Sequence, residues 1–568
     1  MNPCNDIDAI ESTGKKEVLR LLKYNPVVGI EKWSEYEPRW KWQRFDEQAY
    51  NYGMLGPYFL SFEFMTDPRN SRKQIIKIGP PKMIIDRESL LNNAELVQVY
   101  YNYQVDVAEL LGANYTKAKV QMHTSKSHRN ISNTHTISSL NDDYPYNDWL
   151  TYFQNLLPDG NLTLSDRVFV EVPSYFKSLG KLISTTQKRA YINYGFWRMT
   201  YDSTSFLPSA FRGRHQEYQR KISGRETNEP REFECVDITL DYFTVAVGVM
   251  YARQQLKERE SFVDIEEKIS EMFGYLKIAV KEIVQEADWM DNETKTSAME
   301  LIDEMTMQIG SSADDIEDQE IIKHYKAPGD FNITENKFYE STRSLNIAYR
   351  TQSKLGIVGH ENYLKDKLTP SFKAEYSFED NQIKVPTVLL KYFFKNDRPN
   401  FSNFGAIGFV IARKMMRAVT SNLEKWWTPD TKENFTQQSE CLIEMYGNFT
   451  ETLTNLSLKG ESTLKENIVD NSGLKAAYKA YVLWNKKNTD SLQPGLSFSP
   501  RQMFWISAGQ IWCSSHREQA MKEIISKGSK SPDRFRTTGS VINSEEFAKD
   551  FECAEGSPMN PVTRCEIW

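Results

Sequence analysis

Phe404-Gly405-Ala406-Ile407-Gly408-Phe409-Val410-Ile411-Ala412-Arg413-Lys414-Met415-Met416-Arg417 is the stretch on which the reading of this chain turns. Phe404, Ile407, Ile411 and Met415, with Ala418 beyond them, recur at steps of three and four. That period predicts a helix over 405–419 with one buried face. Arg413 and Arg417 stand one turn apart on another face. Taken alone, Arg-Lys-x-x-Arg on a helix reads as a solvated cationic surface. The spacing has a second meaning. Two histidines four apart on one helical face hold Zn²⁺, and a glutamate after the first activates the bound water. Arginine cannot take that part, because a guanidinium has no lone pair to give and is always charged.

The 568 residues, 40% hydrophobic and 12% aromatic, suffice for two or more domains with large cores. No low-complexity tract and no internal repeat interrupts them. The net charge of −7, with both signs mixed along the chain, argues against a nucleic-acid binder, which needs a basic patch. No run of 18 apolar residues is present to span a bilayer, and residues 1–14 are too polar for a signal peptide.

Two features favour a secretory route all the same. Asn114, Asn130, Asn161, Asn292, Asn332, Asn400, Asn434, Asn448 and Asn455 each open an Asn-x-Ser/Thr triplet, where chance gives roughly half as many. The six cysteines (Cys4, Cys235, Cys441, Cys513, Cys553 and Cys565) form no C-x-x-C pair and read as disulfide partners rather than metal ligands.

Most of the chain reads as helix. Ile265, Ile269, Met272, Phe273, Leu276, Ala279, Val280 and Ile283 form a helical stripe over 262–287, and 291–307 reads likewise. Strand signals rise at 167–172 and 382–390. The polar, acidic stretch 310–334, with Pro328-Gly329, reads as a connection. The division expected is 1–310, a mostly helical domain; 311–365, a connecting segment; and 366–568, a second domain. The fold class is mainly α with small β elements.

Six groups of residues, in order along nearly the whole chain, resemble the neprilysin and endothelin-converting-enzyme family of zinc metallopeptidases. They are Cys4, Ile10, Gly14 and Leu19; Trp289-Met290-Asp291 with Thr294-Lys295; Glu466-Asn467-Ile468-Val469-Asp470-Asn471-Ser472-Gly473; Pro494-Gly495-Leu496; Gln510, Trp512 and Cys513; and Met559-Asn560-Pro561 with Cys565 and Trp568. The resemblance implies a two-lobed shell, with a thermolysin-like C-terminal lobe facing a helical N-terminal lobe across an internal cavity.

Carried over position by position, the family's two zinc histidines fall on Arg413 and Arg417, and its catalytic glutamate falls on Lys414. The third ligand is retained as Glu466, and the aspartate that orients a zinc histidine as Asp470. The oxyanion-stabilising histidine falls on Lys530. The arginine that meets the substrate backbone is retained as Arg536. The peptide-binding Asn-Ala of the edge strand appears as Lys373-Ala374, so only Ala374 is kept. The acidic loop after the zinc helix is shortened, since Trp426-Trp427 follow soon after Arg417. No metal is therefore expected, although the family uses zinc. Of the seven histidines no pair stands four apart, and His360-Glu361 is followed by Leu364.

Glu466 and Asp470, one turn apart, would be left as unpaired, partly buried carboxylates without the metal. Arg413 and Arg417 are the expected partners; carboxylates meeting only water are the alternative. The resemblance further implies bridges Cys4–Cys235 and Cys441–Cys565. It places the partners of Cys513 and Cys553, and the membrane anchor, in a segment before Cys4. Cys513 and Cys553 are then expected free, or paired with each other, in a chain that begins late; a genuine short cytosolic form is the competing reading.

The function expected is an inactive peptidase homologue of an extracellular or plasma-membrane ectodomain. It would bind or sequester peptides in the cavity, or regulate an active relative. The alternatives are an active zinc endopeptidase and a purely structural or receptor-like ectodomain. No Gly-x-Ser-x-Gly elbow and no phosphate-binding Gly-x4-Gly-Lys-Ser/Thr loop occurs.

Overall fold

The apolar stripes collect into separate cores, each serving one compact unit. Unit 1 comprises Met1–Thr244 and Glu317–Leu364, and unit 2 comprises Val245–Ile316 and Lys365–Trp568. The structure is a computed structural model. It describes all residues except 1–3, 5, 22–39, 68–69, 86–89, 92, 114–132, 159, 228, 257–258, 310–316, 327–332, 335–336, 356–372, 379, 396, 422–426 and 491–494. Asn114, Asn130, Asn332, His360, Trp426 and Pro494 thus lie outside the described residues. Among the described residues, no helix is long and apolar enough to cross a membrane.

In unit 1, strands β1 (Ser61–Asp67), β2 (Asn70–Gly79), β3 (Asn133–Thr136) and β4 (Arg167–Val170) form a sheet of order β1-β2-β4-β3. β2 and β4 run parallel, and the outer pairings are antiparallel. Helices α1 (Trp42–Asn51), α2 (Trp149–Leu156) and α3 (Lys188–Ser203) add an aromatic core. Trp42, Trp149, Phe153 and Trp197 are buried in it.

Unit 2 is built around long helices: α4 (Arg259–Glu286), α5 (Asn292–Glu304), α6 (Phe409–Ser421), α7 (Pro429–Gly447), α8 (Gly460–Asn485), α9 (Pro500–Gln510) and α10 (Asp533–Ile542). A small sheet joins them, of order β5 (Thr306–Ile309), β7 (Gln382–Val385), β6 (Glu375–Ser377). The predicted stripe of α4 is buried from Ile269 to Ile283, with Ile265 packed at its margin.

That stripe explains why the compact units are cut at Thr244 and Leu364 as well as near residue 316, a different partition from the sequence division. Its partners are the apolar side chains of α6 and α8, so 245–316 fold with the C-terminal half. The segment read as a connection is also partly structured. Asp318–Lys326 and Phe338–Leu355 are helices of unit 1. Tyr339 enters the aromatic core there, and Arg343 lies 3.4 Å from the Tyr52 ring centroid.

Two local expectations are corrected in the same way. The helix from Asp291 stops at Glu304, and Thr306–Ile309 becomes a strand parallel to β7. The strand from Gln382 ends at Val385, because Pro386 cannot donate to a ladder; it instead opens a short helix, Thr387–Phe393.

Candidate functional site

A π-helical turn, Phe404–Gly408, leads into α6. Phe404, Ile407, Ile411, Met415 and Ala418 are all buried, as their spacing predicts. The opposite side of α6 meets α8. Their close approach depends on Gly473, where an added Cβ would lie 2.9 Å from Arg413 Cα and N and 2.7 Å from Cγ. Side chains on the two helices therefore interlock directly.

Asp470 is fully buried. One carboxylate oxygen accepts from Arg413 Nε at 2.5 Å and from Arg536 Nη2 at 2.8 Å. The other accepts from Arg536 Nε at 2.6 Å. Glu466 accepts from Arg413 Nη2 at 3.1 Å, and from Arg417 Nη2 on its other oxygen. Arg536 Nη2 lies 3.5 Å from Glu466. Three guanidiniums thus close on two carboxylates where the resemblance places a metal. Charged, partly bidentate pairs of this kind are the strong class of hydrogen bond.

The half-buried Trp512 indole packs against two of the cations. Arg536 Cζ lies 3.7 Å and Arg413 Cζ 5.0 Å from the ring centroid, a stabilising cation–π geometry.

The rest of the Glu466–Gly473 segment ties α8 to its neighbours. Asn467 Oδ1 accepts from Ser531 Oγ at 2.8 Å, and Asn467 Nδ2 donates to Thr463 Oγ1 at 2.9 Å. Asn471 Nδ2 donates to the Tyr446 hydroxyl at 3.0 Å, and Asn471 Oδ1 accepts from Asn543 Nδ2 at 2.9 Å.

The charges shape one another. Burial pushes the Glu466 carboxyl up, but Arg417 and Arg413 hold it below its ordinary value. The two guanidiniums on Asp470 are unequal. Burial, with Arg536 facing it, pulls Arg413 down despite Asp470. Arg536 is also opposed by burial, yet its contacts with Asp470 keep it up. For Lys414, burial and then Arg413 and Arg417 bring the ammonium down from 10.5 to about 8.

The expected residues are distributed as follows. Arg413, Arg417, Glu466 and Asp470 come together as the charge argument predicts. Lys414 is half-buried beside them, and Lys530 is exposed. Arg536 departs from expectation: it is buried and turned onto Asp470 and Glu466 rather than presented to a peptide. Ala374 is buried just ahead of the edge strand β6, next to Lys373. Sequence reasoning missed Arg536 as a third partner, Trp512 as their platform and Gly473 as the contact point; Trp512 and Gly473 lie within motifs that carry the resemblance, and Arg536 at a position carried over from it.

The donor set does not fit zinc. Imidazole or thiolate nitrogen and sulfur are the usual ligands, and Glu466 is the lone donor retained at the family positions. Among the described residues, no three His, Cys, Asp or Glu side chains are grouped to hold a metal ion. His516 Nε2 stands 3.6 Å from Asp533 at the start of α10, outside the Asp470 network.

Cys4 is bonded to Cys235 in unit 1 and Cys441 to Cys565 in unit 2, the pairs the resemblance implies. Cys513 is free and exposed, and Cys553 is free and half-buried.

The helical architecture, with its small sheet and interlocked helix pair, is that of a metallopeptidase fold. Two family models, both described as peptidase family M13, match residues 1–312 and 373–567. The chain belongs to that family. It is 34% identical to neprilysin-2 of Drosophila melanogaster, with 100% of this chain and 78% of that protein covered. It is 28% identical to human endothelin-converting enzyme 1, over 90% of this chain and 70% of that protein. Among solved structures, it resembles the inhibitor-bound zinc metalloprotease of Mycobacterium tuberculosis, with a TM-score of 0.82, 19% identity, and 100% and 88% coverage of the two chains. PEPO from Lactobacillus rhamnosis gives a TM-score of 0.76 at 15% identity, with 98% and 88% coverage.

Proposed function

We propose that this chain is a catalytically inactive member of its peptidase family, a pseudo-peptidase that works by binding rather than cleavage. The observation that carries this reading is the replacement of two metal donors by Arg413 and Arg417, which close with the retained Arg536 on Glu466 and Asp470. Metal catalysis of peptide hydrolysis needs a Lewis acid and a source of hydroxide. A general base contributes about 10²–10⁴-fold, and an oxyanion donor about 10²–10³-fold. Arg413 and Arg417 supply neither the Lewis acid nor the hydroxide, Lys414 and Lys530 replace the family's glutamate and histidine, and such losses act together rather than independently.

The same reading makes the protein an extracellular or plasma-membrane glycoprotein. Its two disulfides and the exposed Asn161, Asn292, Asn448 and Asn455 support this. A mobility shift on treatment with an N-glycosidase is the expected result for the native protein.

Metal analysis together with a peptide-cleavage assay, run with and without chelator, tests the central claim. The expected outcome is substoichiometric zinc and no chelator-sensitive cleavage. One tightly bound zinc per chain, or cleavage abolished by chelator, would overturn it.

A further inference from the structure

The ion-pair network accounts for Arg413, Arg417, Arg536 and both carboxylates, but it leaves Lys414 over. That ammonium is half-buried, yet it makes no hydrogen bond or ion pair with the described residues. Arg417 binds Glu466 through Nη2 alone, and its side chain is 30% exposed, so the rest of its fork is open. Lys530, exposed ahead of α10, directly precedes Ser531, whose hydroxyl donates to Asn467 Oδ1 at 2.8 Å, so its charge stands beside the Glu466 turn of α8 and acts on both Lys414 and Glu466. Five cations (Arg413, Lys414, Arg417, Lys530 and Arg536) stand here with three carboxylates (Glu466, Asp470 and Asp533).

A purely structural substitute for a metal needs cations on Glu466 and Asp470, which the arginines provide. Lys414 is attracted by Glu466 but bonded to neither carboxylate, and burial together with Arg413 and Arg417 outweighs that attraction, so it carries the cost of a cation held away from water beside like charges. An anion lying between Lys414 Nζ and the open fork of Arg417 relieves this cost. A planar carboxylate matches the guanidinium fork. A phosphate dianion is disfavoured, because Glu466 sits on the same guanidinium.

We propose that Lys414, the open edge of Arg417 and Lys530 form a binding site for a carboxylate monoanion. The proposal rests on the metal-free reading of this site.

Isothermal titration of the zinc-free protein with N-acetyl-dialanine, its C-terminal amide, acetate and inorganic phosphate tests it. The acid is expected to saturate the protein at about 1 mM or below, and the amide is not. Acetate binding as well as the dipeptide acid identifies a free carboxylate as the ligand; tighter binding of the dipeptide acid identifies a peptide terminus. Lys414→Gln is expected to weaken binding about tenfold or more, and Lys530→Gln by a smaller factor. Neither change touches the Arg–carboxylate pairs, and circular dichroism and melting confirm that each variant is folded. Equal binding of the amide, preference for phosphate, or no saturable carboxylate binding would overturn the proposal. Zinc titrated into the same sample separates the two readings. Tight zinc binding removes the metal-free site, whereas absent carboxylate binding in zinc-free protein removes this proposal alone.

Discussion

Asp470→Asn is the sharpest perturbation of this site, because it keeps the shape and removes one charge. Asp470 is fully buried and receives three N–H groups, at 2.5, 2.6 and 2.8 Å, from two guanidiniums. The Arg413 and Arg536 side chains are only 12% and 5% exposed. After the change they share Glu466 as their remaining ion-pair partner, with Asp533 acting on Arg536 from the start of α10. In either amide orientation, the asparagine NH₂ points at a guanidinium N–H, donor against donor. Removing one partner of a buried ion pair costs about 3–5 kcal/mol, and the expected loss lies in that range. Arg413→Met is expected to cost less, about 1–3 kcal/mol, since Asp470 keeps Arg536 and Glu466 keeps Arg417. Urea unfolding at constant m reads both values. In the double variant the two costs should fall short of their sum by about 1 kcal/mol or more, because Arg413 no longer waits for the missing charge. A loss below about 1 kcal/mol for Asp470→Asn, or a larger loss for Arg413→Met, would refute the ion-pair core.

Three further perturbations follow from the same geometry. Arg413→His combined with Arg417→His restores two imidazoles beside Glu466, and calorimetry should then detect zinc binding with proton release that the parent lacks; if the variant folds and ignores zinc, the assignment of the two positions is wrong. Gly473→Ala places a methyl 2.9 Å from the Arg413 backbone, so overpacking of about 1–3 kcal/mol should outweigh a helix-propensity gain of about 1 kcal/mol; unchanged stability would mean that α6 and α8 do not touch there. Lys414→Met should stabilise the unliganded protein at pH 7. The folded-state value of Lys414, about 8, lies below 10.5, so the charged form is disfavoured by about 3 kcal/mol at most; this cost is fully present below pH 8 and fades as pH rises to about 10.5. The stabilisation should therefore shrink at alkaline pH, and urea midpoints that keep the same gap at pH 7 and pH 10 would contradict the burial of that ammonium.

The sequence makes the interlocked helix pair legible through charge balance. Two arginines one turn apart, and two carboxylates one turn apart, have one sensible pairing once both helices are known to meet. The burial of the α6 and α4 stripes is legible for a simpler reason, since a 3.6-residue period has one amphipathic solution. Asp291 is similar: its side chain caps α5 by accepting from Thr294 N at 2.8 Å, as a helix-start motif should. What the sequence hides is long-range. Arg536 lies 66 residues beyond Asp470, and a lone arginine carries no sign of which anion it will face. The allegiance of 245–316 to unit 2 is hidden in the same way, because the stripe of α4 declares that it is buried and not against what. Strand β5 was masked by the helical pattern continuing through Met307; it is the parallel pairing with β7 that decides it.

Charge bookkeeping at the converted site also bears on why it looks as it does. Two arginines would suffice to neutralise Glu466 and Asp470. Arg536 already makes the set cationic, and Lys414 makes it more so, in a place where burial penalises every uncompensated charge. A position that needed only to fill space beside the arginines would be better served by methionine or leucine, which pack without that penalty. Stability alone therefore accounts for the arginines but not for the lysine. A residue that lowers the stability of the free protein while leaving an open cation next to an open guanidinium fork is the pattern of a binding site, where function is maintained at the expense of the unliganded fold. The two measurements on Lys414 are accordingly linked: the variant that melts higher without ligand should be the one that has lost the carboxylate.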